Sequence, residues 1–243
     1  METQSHGPLV KSEAAGLPKG ATVKRVFLVF VLGAIQIALF AGAASAQEAG
    51  FFDGFGSFDT TRWSKGDHNL GRSYLDPTNV SVSGGNLQIK IPARSLEGGE
   101  ILTNDLKSYG SYSTRMRLPY APSSITGFFL YKSPDYESEI DIEIYNDSTR
   151  RIMFTTYAGG AQTHTVTMQL PFDPTAGFHD YRFDYAPGSM SFYADGQLMK
   201  TWTDGIPQTS MHLMVNTWFP SWLEGRKQKR AVYTLLDNVS YTP

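Results

Sequence analysis

No cysteine occurs in the 243 residues. That absence excludes disulfide scaffolds, thiol nucleophiles, zinc ribbons and iron–sulfur centres. Charge is scarce as well: Asp, Glu, Lys and Arg make up 18% of the chain and the formal net charge is -2. With no polyanion-binding footprint, nucleic acid is not an expected partner. Internal repeats, low-complexity linkers and helical periodicity of useful length are missing too. So are a Ser-His-Asp arrangement, a phosphate-binding glycine loop and a metal-ligating histidine cluster. What is present is 41% apolar and 13% aromatic residues, enough for one substantial core, with 23 glycines and 13 prolines to supply turns.

The opening stretch reads as a leader. Lys19, Lys24 and Arg25 form a basic flank ahead of the apolar run from Val26 to Ala43, and Ala44-Ser45-Ala46 supplies a small-x-small cleavage signal before Gln47. The expectation is a signal peptide over residues 1–46 and a single domain over 47–243, delivered to the periplasm or the medium. A retained membrane anchor is the alternative, since the run of 18 residues is just inside spanning length. Gly33, Gln36 and the small-residue tail weigh against it. Four basic and two acidic residues leave with the leader, so the mature chain carries a net charge of -4.

Beyond residue 80 the apolar pattern has a period of two. Leu87, Ile89 and Ile91 alternate with Gln88 and Lys90, and Tyr112, Thr114, Met116 and Leu118 alternate with Ser113, Arg115 and Arg117. Phe183 and Tyr185 flank Asp184, and Ser191-Phe192-Tyr193 leads into Ala194-Asp195-Gly196-Gln197. The Asp-Gly pair is a strong two-residue hairpin signal, because both positions accept positive φ. Further turns are marked at Ser83-Gly84-Gly85-Asn86, Ala158-Gly159-Gly160 and Pro187-Gly188. Many short antiparallel strands in one domain predict an all-β sandwich.

The segment that carries chemistry is Ser138-Glu139-Ile140-Asp141-Ile142-Glu143-Ile144. In a strand, residues i, i+2 and i+4 share a face, so the isoleucines enter the core and Glu139, Asp141 and Glu143 stand together opposite them. Three like charges on one face weaken a sheet. A plain charged surface strand, a divalent cation site and acid–base catalysis remain open from this pattern alone. Hard cations usually draw ligands from a loop with carbonyls and glycine. For catalysis, Cα atoms four residues apart are roughly 13 Å apart, and two Glu side chains leaning inward can bring their carboxyls to about 5–5.5 Å, the retaining-glycosidase separation. Crowding would also raise one carboxyl's pKa and leave an acid beside an ionised nucleophile.

The wider sequence resembles glycoside hydrolase family 16, the lichenase, laminarinase and xyloglucan-active group. Glu-Ile-Asp-Ile-Glu at 139–143 resembles its signature, Phe55 to Trp63 its opening strand, and Gly99 to Leu118 its segment before the signature. Gly177 to Gly196 is similar to its paired-strand hairpin, and Asn216-Thr217-Trp218 to its Asn-x-Trp strand. The resemblance implies a β-jelly-roll sandwich of two antiparallel sheets with a concave substrate groove. By position, Glu139 resembles the nucleophile, Glu143 the acid/base and Asp141 the helper that orients the nucleophile. Glu137-Ser138 replaces the Trp-Asp usual in lichenases, and Ile144-Tyr145-Asn146 replaces their Phe-Leu-Gly, which puts the lichenase substrate in doubt.

Sugar clefts need flat apolar faces, and Trp218 and Trp222 are the expected platforms. Tyr157, Tyr185, Glu100 and Asn216 resemble further substrate-binding positions, whereas His179 is expected to be structural. Asp237 resembles a ligand of a structural calcium; no cofactor is expected for catalysis. The expected partner is a polysaccharide, with no stable membrane association after cleavage of the leader, and the expected state is a monomer. Four cations at Arg226, Lys227, Lys229 and Arg230 suggest either a solvated loop or a groove border favouring an acidic glycan. The implied activity is retaining endo-hydrolysis of a β-linked glucan; a transglycosylase and a non-catalytic glucan-binding envelope protein are the alternatives.

Overall fold

The alternating segments become strands. The computed structural model describes residues 49–243, so the leader, its cleavage point and Gln47 lie outside the described residues. In chain order the strands are β1 (Phe51–Asp53), β2 (Trp63–Lys65), β3 (His68–Leu70), β4 (Ser73–Leu75), β5 (Val80–Ser83) and β6 (Asn86–Ile91). Next come β7 (Gly99–Thr103), β8 (Gly110–Arg117), β9 (Ile125–Lys132), β10 (Ser138–Tyr145), β11 (Arg151–Ala158) and β12 (Ala161–Gln169). The last are β13 (His179–Ala186), β14 (Ser189–Ala194), β15 (Gln197–Trp202), β16 (His212–Trp218) and β17 (Val232–Thr242). Among the described residues the only helical turn is a short 3-10 segment at Pro77–Asn79.

Two antiparallel sheets form a jelly-roll sandwich. One runs β15-β14-β13-β8-β17-β6-β5 with β1 added against β17; the other runs β12-β11-β10-β9-β16-β7-β2. The Asp195-Gly196 hairpin joins β14 to β15 as its sequence predicts, with φ of 46° and 76° at the two turn residues. Its flanks Ala194 and Gln197 pair directly.

Period-two patterning decides which face is which. Ile140, Ile142 and Ile144 of β10 are fully buried between the sheets, as are Tyr112 and Met116 of β8 and Phe183 of β13. Tyr112 stacks on Phe183 at 4.9 Å, and Phe154 of β11 on Phe192 of β14 at 4.6 Å. Each buried isoleucine contributes about 1.5–3 kcal/mol. That apolar underside offsets the repulsion among the carboxylates above it.

A polar thread also crosses the interior. Thr217 of β16 and Thr234 of β17 share a hydrogen bond of 2.6 Å, and Thr126 of β9 lies 3.1 Å from Thr217. Thr126 donates to Asn146 Oδ1 at 2.9 Å, and Asn146 Nδ2 donates to Ser124 Oγ at the same distance. These buried groups satisfy one another and tie β9 and β16 of one sheet to β17 of the other.

Candidate active site

A cleft of about 850 Å³ lies on the outer face of the β10 sheet. Its floor follows from strand register. Glu139 is flanked by Tyr157 on β11 and Tyr131 on β9; Asp141 by Thr155 and Phe129; Glu143 by Met153 and Gly127. The row of Glu143 continues from Gly127 to Asn216 on β16 and on to Glu100 on β7. Side chains two apart on one strand and opposite on its neighbours share the face, and one polar surface results.

Asp141 is buried, and Glu139 and Glu143 are half-buried on the cleft floor. Burial pushes Glu139 up to about 7, with the negative charge of Asp135 adding to the rise and a hydrogen bond from Asp141 opposing it. Burial, then the charges of Glu139 and Glu143, lift Asp141 well above the usual carboxylate range. Glu143 rises to about 8 through burial and the charge of Glu139. The hydrogen bond lowers Glu139 and raises Asp141, so Asp141 carries the shared proton. Each upward shift disfavours a cluster with three full charges.

Glu100 and Asn216 form a second polar group at the far end of Glu143's row. Asn216 Nδ2 donates to Glu100 Oε2 at 3.1 Å, and His68 Nε2 lies 3.0 Å from Glu100 Oε1. The hydrogen bond to Glu100 raises the pKa of His68 against the opposing effect of burial. Asn216 Oδ1 is buried with no hydrogen-bond partner among the described residues. A β-carbon on Gly127 would stand 2.7 Å from it, so this acceptor borders the gap that the glycine leaves beside Glu143.

Aromatic side chains wall the cleft: Phe129, Tyr131, Tyr136, Tyr145, Tyr157, Trp218 and Trp222. Trp218 is half-buried over the turn between β3 and β4. A β-carbon at Gly71, where φ is 57°, would come within 2.6 Å of its ring, so only glycine permits this support. Trp222 is 53% exposed, 6.0 Å from the Tyr145 ring. Arg151 covers the Tyr145 ring at 3.8 Å.

Of the residues singled out by sequence, Glu139, Asp141, Glu143, Trp218, Trp222, Tyr157, Glu100 and Asn216 all line this cleft. Tyr185 does not, and the expectation of a sugar platform there is corrected. It is 1% exposed on β13, with its hydroxyl donating to the carbonyl of Pro207 at 2.8 Å. Tyr181, Phe183 and Tyr185 share the inward face of their strand, so the same alternation that buries Phe183 buries Tyr185. His179 is structural as expected, stacked on Phe172 at 3.7 Å with Nδ1 2.7 Å from Asp195 Oδ2.

Of the two readings of Arg226, Lys227, Lys229 and Arg230, the solvated loop fits: all four are exposed, and none lines the cleft. Asp237 is the bulged residue of β17, exposed, and accepts a hydrogen bond from Asn238 at 2.9 Å. Among the described residues no group of three or more His, Asp or Glu side chains is placed to hold a metal.

Tyr131, Asp135, Tyr136, Gly127, Phe129 and His68 were not legible as site residues. β9 is buried on both faces, so its sequence reads as an apolar run with no alternation to show which side chains face outward. Asp135 and Tyr136 sit in a loop whose path only the fold sets.

Known proteins share this architecture. Residues 71–233 match the family described as Glycosyl hydrolases family 16. A β-glucanase of Bacillus subtilis (strain 168) is 33% identical over 238 residues, covering 90% of this chain and 98% of that protein. The solved structure of Bacillus licheniformis β-glucanase superposes with a TM-score of 0.74 at 29% identity, over 81% of this chain and 99% of the other. A lichenase, a β-1,3-1,4-glucanase from a mouse hindgut metagenome, superposes with a TM-score of 0.73 at 27% identity, over 81% of this chain and all (100%) of that chain.

Proposed function

This chain belongs to glycosyl hydrolase family 16 and is a glycoside hydrolase, and from that premise we propose that it is a retaining endo-β-glucanase. The observation that carries the reading is the alternation of Glu139, Asp141 and Glu143 along one strand on the floor of an open cleft. An open cleft, rather than a closed pocket, admits the interior of a polymer.

Glu139, as a carboxylate, attacks the anomeric carbon. Glu143, still protonated, gives its proton to the departing glycosidic oxygen, and a covalent glycosyl–enzyme forms. The Glu143 carboxylate then takes a proton from water as that water attacks the same carbon, and Glu139 leaves as a carboxylate. Asp141 donates a hydrogen bond to Glu139, fixing the oxygen that attacks and opposing the rise of its pKa.

The sugar chain rests on Trp218, Trp222 and Tyr157, and the unpaired Asn216 Oδ1 accepts from a sugar hydroxyl. Glu100, already bound by Asn216 and His68, takes a second hydroxyl or orients Asn216. Among the described residues the cleft is lined by Glu100, Asp135, Glu139, Asp141 and Glu143 and by no lysine or arginine, which favours a neutral glucan over an anionic one. Mixed-linkage β-1,3-1,4-glucan is the first substrate of choice, as the name of the hindgut lichenase suggests. The leader expected at residues 1–46 supports export. Among the described residues no helix is long and apolar enough to cross a membrane.

The deciding experiment is a polysaccharide panel with a reducing-end assay and product sizing. Rapid loss of chain length on a neutral β-glucan is expected, with no turnover of carboxylated glycans. Binding to glucan without any new reducing ends would replace the enzyme reading by a binding protein.

A further inference from the structure

Two consecutive residues of one loop hold the two neighbours of Glu139. The Tyr131 hydroxyl donates to Asp135 Oδ1 at 2.6 Å. The next residue, Tyr136, lays its ring 5.3 Å from that of Tyr157. Tyr131 and Tyr157 are the cross-strand partners of Glu139 on either side. Tyr136 makes its contact from a left-handed backbone with φ of 66°, a conformation that a residue with a β-carbon rarely adopts. The loop from Ser133 to Glu137 therefore clamps both flanks of one carboxylate.

We propose that Asp135 is a positioning residue of the glycosidase reaction: it fixes Tyr131 beside Glu139 and, through its charge, sets the pH below which Glu139 stops acting. The proposal rests on Glu139 being the nucleophile. Tyr131 has one proton, and it is committed to Asp135, so Tyr131 cannot spend it on the Glu139 carboxylate. The hydrogen bond that Glu139 receives comes from Asp141 instead. The titratable groups facing Glu139 are Asp141 and Glu143 from its own strand, Tyr157 from β11, Tyr131 from β9 and Asp135 from the loop. Asp135 is exposed, so its field at Glu139 is open to screening by salt.

The test is the pH dependence of kcat/KM on an activated aryl β-glycoside of a gluco-oligosaccharide, at low and high ionic strength. In Asp135→Asn the acid limb should move down by about 0.5–1 pH unit at low salt and by less at high salt. In Tyr131→Phe the limb should stay in place, because the Asp135 charge remains, while kcat falls. A limb at the wild-type position in Asp135→Asn overturns the proposal and leaves the loop as a brace. Equal movement in both variants also overturns it, by assigning the effect to the tyrosine hydroxyl. Trapping with a 2-deoxy-2-fluoro glycoside separates the two levels of the argument. Label on Glu139 with an unmoved limb overturns the proposal alone, whereas label on another residue overturns the nucleophile assignment with it.

Discussion

Asn216 Oδ1 and the α-carbon of Gly127 lie so close that a β-carbon on Gly127 would stand 2.7 Å from the amide oxygen. The glycine belongs to the row of Glu143. It makes room on the cleft floor between the proposed acid and a buried acceptor that has no partner among the described residues. No turn requires glycine here, so the residue is explained by approach rather than by backbone conformation.

Gly127→Ala should therefore disturb the cleft more than the fold. The added methyl meets Asn216 on one side and the Phe129 ring at 3.2 Å on the other, and one of them must move. A displacement of this size beside the reacting groups is expected to lower kcat/KM by about tenfold or more. The melting temperature should change little, since the substitution also reduces the freedom of the unfolded chain. Steady-state kinetics on β-glucan with a parallel thermal melt checks this; full activity would mean that the gap is not used.

A second prediction separates core from cleft at Tyr185. Tyr185→Phe removes a hydroxyl that donates to the carbonyls of Pro207 and Thr209. Their loss should cost about 1 kcal/mol of stability and leave KM for glucan untouched. A raised KM at unchanged stability would return Tyr185 to the substrate.

Tyr185 also marks what a sequence can and cannot tell. Strand phase was readable: Ile140, Ile142 and Ile144 go inward and Glu139, Asp141 and Glu143 outward, as the alternation requires. The same rule applied to Phe183 and Tyr185 would have buried both, but analogy of position pulled Tyr185 toward the groove. Asp135 was illegible for another reason. It reaches Tyr131 across a loop, and loop paths follow from tertiary contacts that no periodicity encodes. Gly127 was hidden in an apolar strand buried on both sides.

The carboxylate cluster makes stability depend on pH, with a definite sign. Glu143 has an ordinary value of 4.5 and stands at about 8 in the fold, and Glu139 stands at about 7. Between about pH 4.5 and 8 the native state keeps protons that the unfolded chain has released, so the unfolding free energy falls as pH rises. The stabilising share is complete below the unfolded value and gone above the folded one. Denaturant melts from pH 4 to 9 should show Glu143→Gln matching wild type at the acid end and exceeding it, by a few kcal/mol at most, at the alkaline end. Parallel curves for the two proteins would remove the argument.

The mechanism itself makes the most exposed prediction. Glu139→Gln keeps shape and loses the nucleophilic charge, so turnover should vanish while glucan binding persists. Glu143→Ala removes the proposed acid and base together. On an activated aryl glycoside the leaving group needs no proton, so the glycosyl–enzyme still forms and then waits for a nucleophile that needs no base. Azide meets that need, and the product should be a β-glycosyl azide, because two displacements at one carbon restore its configuration. Asp141→Asn should slow the enzyme less than either glutamate change, since an amide can still donate to Glu139. NMR of wild-type digests should show the β-anomer first. An α-anomer appearing first would mean a single displacement by water, and neither the role of Glu139 nor the reading of the cleft built on it would survive.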